Sequence, residues 1–236
     1  MKIFKATLIE RIRRTSSIES FRFLPEEKIN FIPGQFTQVL FDTENKNNRD
    51  LNKYLSFSSS PAKEYVEVTK RISESTFSKK LINLACKDQI SLAQPIGNCI
   101  FKDEYTKIGF LVGGIGITPV IAIIEHIIDK KLATDVRLFY SNRTESDIAF
   151  KKELDQWALS YKNIRIVYFV TEGCSQNKNY VYGRIDKDSV KNNSDNIKER
   201  IFYMIGPPKM VAAMKEICLN IGCSQDKIKT ENFVGY

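Results

Sequence analysis

Leu111-Val112-Gly113-Gly114-Ile115-Gly116-Ile117-Thr118-Pro119 decides the fold. The apolar run 108–112 reads as a buried strand, and the apolar residues 119–129 read as a helix. Between them, glycines let the backbone approach a ligand closely. Thr118 is suited to cap the helix and Pro119 to occupy its first position. A helix start offers free N–H groups and a positive dipole end. Strand, turn and helix start therefore describe a pyrophosphate site. As a dinucleotide fingerprint the stretch is incomplete. Pro119 stands where Gly or Ala is required, and no acidic residue follows the second strand to hold a ribose. A tight strand–helix turn in an α/β core is the plainer alternative.

Downstream, strands are expected at 136–140, 164–170 and 201–205, with helices at 147–159 and 208–221. Buried strands alternating with helices imply a doubly wound parallel sheet. Upstream, short strands at 3–9, 20–24, 35–41, 65–69 and 90–93 are separated by turns such as Pro33-Gly34. That spacing suggests a small antiparallel β-barrel. One helix interrupts it, capped by Ser75 and carrying Phe77, Leu81 and Ile82 on one stripe. The polar residues 43–52 read as an exposed loop. The expected domains are 1–103, a barrel, and 104–236, an α/β domain.

Composition narrows the class of partner. Of 236 residues, 42% are hydrophobic and 27% charged, which excludes a largely disordered chain. The net charge of +8 is spread over both halves without a basic tail. This argues against nucleic acid, whose binders show a clustered patch, and favours acidic protein partners through steering. Five cysteines without a CxxC, and a single histidine, His126, give no metal or iron–sulfur spacing. They suit a reducing compartment. The N-terminus turns charged within ten residues, and the apolar stretch 108–124 is broken by glycines and a proline. Neither a secretory signal nor a membrane span is expected, and the expected compartment is the cytoplasm. His126 reads as structural, and Trp157 as part of a helix's core face.

Two further segments carry chemistry. In Lys53-Tyr54-Leu55-Ser56-Phe57-Ser58-Ser59-Ser60-Pro61, a cation precedes alternating bulky and hydroxyl residues, suited to a phosphate-bearing aromatic ligand. A serine-rich loop is the alternative. In Thr69-Lys70-Arg71-Ile72-Ser73-Glu74-Ser75-Thr76-Phe77, hydroxyls and cations surround a second helix start, fit for another phosphate or for a plain N-cap.

In this order the segments resemble the ferredoxin–NADP reductase superfamily of flavoprotein reductases. Its PGQ turn stands as Pro33-Gly34-Gln35. Its flavin motif, Arg-x-aromatic-Ser-x-x-Ser, resembles residues 53–59, and its GGxGxTP stands whole at 113–119. Its GPxxM appears as Gly206-Pro207-Pro208-Lys209-Met210, and the ending Glu231-Asn232-Phe233-Val234-Gly235-Tyr236 is similar to its acidic and aromatic tail. The likeness covers nearly the whole chain.

The resemblance implies an FAD-binding barrel and an NAD(P)-binding α/β domain. Lys53 takes the place of the arginine that pairs with the FAD pyrophosphate, as a point charge without the bidentate fork. Leu55 stands where an aromatic covers the flavin. Ser56 matches the hydroxyl near flavin N5. Tyr54, Phe57 and Ser58 complete the motif, Thr69 and Lys70 offer backbone groups to the flavin's pyrimidine edge, and Ser75 with Thr76 binds FAD phosphates. The nucleotide falls to Gly113, Gly114, Ile115, Gly116, Thr118 and Pro119, with Gly206, Pro207 and Met210. Ser141, Asn142 and Arg143 end the second strand; Arg143 is placed to pair with a 2′-phosphate, and no carboxylate is expected beside it. NADH and NADPH both stay open. Ile205 replaces the cysteine of several plant-type members. Glu231 resembles the tail carboxylate, with Ser56 a catalytic candidate, and Phe233 or Tyr236 is placed to cover the flavin; a last strand packing its aromatics is the alternative.

The implied activity is a flavin-dependent NAD(P)H oxidoreductase. Electrons pass from nicotinamide through FAD to a separate acceptor such as an acidic ferredoxin or another redox protein. Hydride transfer needs nicotinamide C4 over flavin N5, and the cleft between two domains is the natural place for both rings. A free-flavin or ferric reductase and a non-catalytic nucleotide-binding subunit are the alternatives.

Overall fold

The computed structural model describes residues 2–173 and 179–233. The chain divides into two compact units: Met1–Phe101 with Thr118–Lys130, and Lys102–Ile117 with Lys131–Tyr236.

The first unit contains β1 (Ile3–Arg13), β2 (Ile18–Pro25), β3 (Phe36–Leu40), β4 (Asn52–Ser56), β5 (Val66–Arg71), α1 (Thr76–Ile82) and β6 (Gln89–Ala93). The strands form one sheet in the order β4-β3-β6-β1-β2-β5. Every pairing is antiparallel. A bridge between Phe57, just past β4, and Val68 on β5 joins the two outer strands, so the sheet closes as the expected barrel. Alternation decides what fills it: Phe4, Ala6 and Leu8 of β1 are buried, with intervening residues turned outward. They pack with Phe21, Phe23, Leu55, Phe57 and Val68. Ser75 caps α1 as expected, its side chain accepting from the Ser78 N–H, and Phe77 and Leu81 enter the core.

Helix α2 (Ile117–Asp129) groups with this unit from Thr118 onward. The Ser60 N–H donates to Glu125 Oε2 at 2.6 Å, and Lys63 Nζ lies 3.4 Å from Glu125 and 3.3 Å from Asp129. Burial, only partly offset by these contacts, pushes the Glu125 carboxyl above its ordinary pKa. His126 is buried against the Phe101 ring, in keeping with a structural role.

The loop expected at 43–52 needs correction at its end. Asn52 is buried and opens β4. Its Oδ1 accepts the N–H groups of Phe41 and Asp42, and its Nδ2 donates to the carbonyls of Asp42 and Asn45. One buried amide thus ties the polar loop to the barrel.

The second unit contains β7 (Lys107–Gly113), β8 (Asp135–Asn142), α3 (Lys151–Ser160), β9 (Ile164–Val170), β10 (Tyr180–Tyr182), α4 (Lys187–Asn192), β11 (Ile201–Gly206), α5 (Pro208–Asn220) and β12 (Ile228–Asn232). The sheet order is β10-β9-β8-β7-β11-β12, and every pairing is parallel, as expected of a doubly wound sheet. The helix expected at 147–159 starts late. A 3-10 turn occupies Glu145–Asp147, and Phe150, with φ of 59°, separates it from α3. Leu111, Phe139, Phe169, Phe202 and Met204 form the core with α5 residues such as Val211 and Met214.

Among the described residues, no helix is long and apolar enough to cross a membrane, and no cluster of three His, Cys, Asp or Glu side chains is placed to hold a metal. Cys86, Cys99, Cys218 and Cys223 are free thiols.

Candidate functional site

In the second unit the strand order reverses between β7 and β11. Open parallel sheets bind ligands outside the carboxyl ends of their strands at such a point. Here those ends are Gly113 and Gly206. A Cβ on Gly113 would lie 2.2 Å from Met210 Sδ, and one on Gly116 2.6 Å from the Ile205 carbonyl oxygen. Gly116 is therefore demanded by the backbone of β11, whereas a side chain at Gly113 would have to displace the Met210 thioether. Gly114, with φ of 52°, makes the turn itself, and its carbonyl accepts from the Tyr140 hydroxyl at 3.1 Å.

The helix start differs from expectation. A 3-10 turn, Gly114–Gly116, runs straight into α2, whose first residue is Ile117. Thr118 is therefore inside the first turn and is not the cap, and Pro119 is the third helical residue. The proline is tolerated because N–H groups of the first turn have no intrahelical partner. Ile115 and Gly116 are buried in the turn, and Pro207 precedes α5.

Ser141 stands beside Gly113 in the sheet register. Asn142 is buried, and neither its Oδ1 nor its Nδ2 has a partner among the described residues. Two orphaned polar atoms at the carboxyl end of β8 are costly unless a ligand or water meets them. Arg143 is 80% exposed, with Nε 3.8 Å from Glu172 Oε1. The Glu172 N–H also donates to the Arg143 carbonyl at 2.8 Å. A carboxylate does stand beside Arg143, contrary to the sequence reading. It comes from the end of the third strand, which the parallel order lays next to the second.

Strand β12 places Glu231 beside Ile205 and Asn232 beside Gly206. Residues 228–232 thus form the last strand that was one of the two alternatives, and the Phe233 N–H donates to the Gly206 carbonyl. Tyr236 lies outside the described residues. Glu231 Oε2 is buried without a partner among the described residues, and burial pushes the carboxyl up to about 7. Because its folded pKa lies above its ordinary value of 4.5, the folded state favours the protonated acid. Its stabilising contribution is complete below about pH 4.5 and is lost as pH rises through about 7. Glu231→Gln is expected to flatten the fall in stability between these pH values, read by urea unfolding at several pH values. An unchanged slope would contradict the assignment.

In the first unit, β4 carries Lys53, Tyr54, Leu55 and Ser56. Leu55 and Phe57 pack in the barrel core. The exposed aromatic is Tyr54, edge-on to Phe36 at 5.7 Å. Ser56 is buried, and its hydroxyl makes no hydrogen bond among the described residues. Lys70 of β5 is 7% exposed. Burial and the charge of Lys53 lower its pKa. Lys70 Nζ donates to the Arg71 carbonyl at 2.9 Å. Thr69 and Lys70 sit in the β2–β5 ladder opposite Ser20 and Glu19. Ser75 and Thr76 are exposed at the start of α1.

Glu67 is the residue that the sequence reading missed. It is 2% exposed. It accepts from Arg14 at 3.1 Å, from Arg22 Nε at 2.9 Å and from the Ser58 hydroxyl at 3.0 Å. Thr69 Oγ1 lies 2.7 Å from Ser58 Oγ and 2.6 Å from Ser20 Oγ. The Ser58 N–H donates to the Glu67 carbonyl, and the Glu67 N–H donates to Ser59 Oγ. This network fixes the segment after β4 against β5, so the Ser58 and Thr69 hydroxyls are engaged within the protein.

A closed antiparallel barrel followed by a doubly wound sheet with a glycine turn at its switch point defines a nucleotide-dependent oxidoreductase fold. Residues 110–216 match the oxidoreductase NAD-binding domain. NADH-cytochrome b5 reductase 2 of Candida glabrata is 32% identical over 174 residues, covering 72% of this chain and 58% of that protein. The chain thus spans little more than half the length of that relative. The cytochrome b5 reductase domain of Ulva prolifera nitrate reductase shares the fold with a TM-score of 0.84, at 22% identity over 98% of this chain and 97% of that one. A ferredoxin NADP+ reductase from Neisseria gonorrhoeae, with bound FAD and NADP, shares it with a TM-score of 0.82, at 21% identity over 98% and 99%. Residues 110–216 thus carry an oxidoreductase NAD-binding domain, and the chain is similar over most of its length to FAD-dependent NAD(P)H reductases.

Proposed function

We propose that this chain is an FAD-dependent reductase that takes electrons from NADH and passes them to a separate, acidic redox protein. The observation that carries the reading is the switch-point turn, where Gly116 packs against the Ile205 backbone and the buried Asn142 holds two polar atoms without partners among the described residues. A nucleotide entering there meets those atoms, whereas a plain strand–helix turn leaves them unpaired.

The residues fit the two groups separately. On the barrel, Lys53 and Lys70 balance the FAD phosphates, and Ser75 with Thr76 offers a helix start to the same group. Ser56 contributes a hydroxyl with no competing partner among the described residues. Tyr54, Leu55, Phe57, Ser58 and Thr69 shape and hold the strand that presents it. On the parallel sheet, the turn 113–116 and the start of α2 receive the nucleotide phosphates, Gly206, Pro207 and Met210 close the facing side, and Ser141 with Asn142 offers polar atoms at the strand ends. Bound FAD supplies acceptance of electrons in pairs and their release singly. Glu231 contributes a carboxyl that keeps its proton near neutrality.

NADH is favoured over NADPH by Glu172. A 2′-phosphate entering beside Arg143 meets this carboxylate and is repelled, whereas a ribose hydroxyl donates to it. The name of the Candida glabrata relative also specifies NADH. The net charge of +8 favours an acidic acceptor, and the exposed Tyr54, with Ile96, offers an apolar contact on the barrel.

Lys53→Ala is expected to weaken FAD retention several-fold, most visibly at low ionic strength, where the wild-type charge acts unscreened. Flavin content after gel filtration reads the effect, and equal retention would mean that Lys53 is not a phosphate partner. The alternative, a free-flavin reductase, is separated by the same column: wild-type protein that keeps stoichiometric FAD and reduces an acidic haem protein supports the proposal. Protein that loses its flavin and reduces only added flavin contradicts it.

A further inference from the structure

We propose that the parallel sheet carries a second anion site, for a small tetrahedral oxyanion, built on Arg137 and Arg165 near the edge opposite its glycine turn. Arg137 of β8 and Arg165 of β9 stand side by side in the strand register. Like charges in such positions destabilise a sheet, yet both side chains line one cavity of about 60 Å³ with Phe139, Val167, Asn192 and Asn193.

The ion pairs nearby do not neutralise this pair. Arg137 contacts Asp135 at 2.7 Å and approaches Asp195 at 3.8 Å. Asp135 is shared with the buried Arg200, at 2.6 Å. Two carboxylates therefore serve Arg137 and Arg200, and Arg165 forms no ion pair among the described residues. One positive charge is left over at the cavity. Arg137 is 4% exposed, and its Nε is buried with no acceptor among the described residues. A buried charged donor without an acceptor costs free energy that a bound anion restores.

The chemistry of the ligand follows from the lining. Guanidinium forks recognise phosphate-like geometry, and the Asn192 amide adds a neutral donor, the Asn193 Nδ2 being engaged with the Ser189 carbonyl at 2.9 Å. The volume suits one ion and is too small for a nucleotide. Arg137 precedes Ser141, the neighbour of Gly113, by four residues. At roughly 3.3 Å per residue that is about 13 Å along the strand, so this site is distinct from the switch-point turn.

The test uses the full chain, with inorganic phosphate as probe against chloride at constant ionic strength. Calorimetric titration is expected to show one saturable site that Arg165→Gln weakens at least about tenfold. Thermal unfolding adds a readout that non-specific binding does not reproduce. Without phosphate, Arg165→Gln is expected to be at least as stable as wild type, because the like-charge pair is gone. With phosphate, wild type is expected to gain stability that the variant does not. The small volume predicts tighter binding of inorganic phosphate than of glycerol phosphate; the reverse order would assign the same arginine pair to an organic phosphate. Equal binding by wild type and variant, no saturable binding by wild type, or a variant less stable in chloride would each overturn the proposal.

Discussion

Gly116→Val is expected to lower the rate of nucleotide-driven flavin reduction by about 10² or more while FAD stays on the protein. The added Cβ would sit 2.6 Å from the Ile205 carbonyl oxygen and 2.9 Å from its carbon. Both are backbone atoms of β11, so no side-chain rotation relieves the clash. The turn 113–116 and β11 must move apart, which opens the switch point where the nucleotide phosphates are proposed to bind. A displacement of about 1 Å in a positioning element costs on the order of 10² in rate. The residues proposed for FAD lie on β4, β5 and α1, which the substitution does not touch. Stopped-flow absorbance of the flavin with NADH, alongside flavin content after gel filtration, separates the two effects. Loss of FAD with normal reduction of whatever remains would contradict the division of labour between the units.

Glu67→Ala is expected to destabilise the protein by about 3–5 kcal/mol, the usual cost of removing one partner from a buried charged network. Arg14, with a side chain 7% exposed, would keep its charge without the carboxylate that it now meets. Arg22 would retain Glu10 and the Tyr65 ring. The Ser58 hydroxyl would lose its acceptor, leaving Thr69 as its remaining side-chain partner. Glu67→Gln keeps the shape and an amide oxygen for Ser58, so it is expected to lose less. Urea unfolding measures both variants, and a loss under about 1 kcal/mol for Glu67→Ala would show that solvent rehydrates the arginines at little cost.

What was legible in the sequence was what is local. The strand, glycine turn and helix of 107–129 are encoded by neighbouring residues, so their type and order could be read directly. The helix starts two residues earlier than the sequence suggests, because a 3-10 turn continues into α2 without a break and places Thr118 inside the first turn. Alternation revealed the barrel strands. It also led Glu67 to be passed over, because the residue stands between Val66 and Val68, where an outward solvated side chain is the usual reading. Its burial is set by Arg14, just past β1, and Arg22 on β2, which no local pattern reveals. Glu172 is the same kind of case. It follows the third strand in sequence, and only the parallel order β9-β8 sets it beside Arg143. Asn52 looked like the end of a polar loop, and its burial depends on four hydrogen bonds to backbone groups across the loop that it anchors.

The most direct test of the account is an anaerobic titration of the purified protein, first with NADH and then, on a fresh sample, with NADPH, following the yellow absorbance of bound flavin. Stoichiometric FAD is expected, bleached by about one equivalent of NADH and at least about tenfold more slowly by NADPH. Protein that binds no FAD, or bound flavin that NADH leaves oxidised, would contradict it.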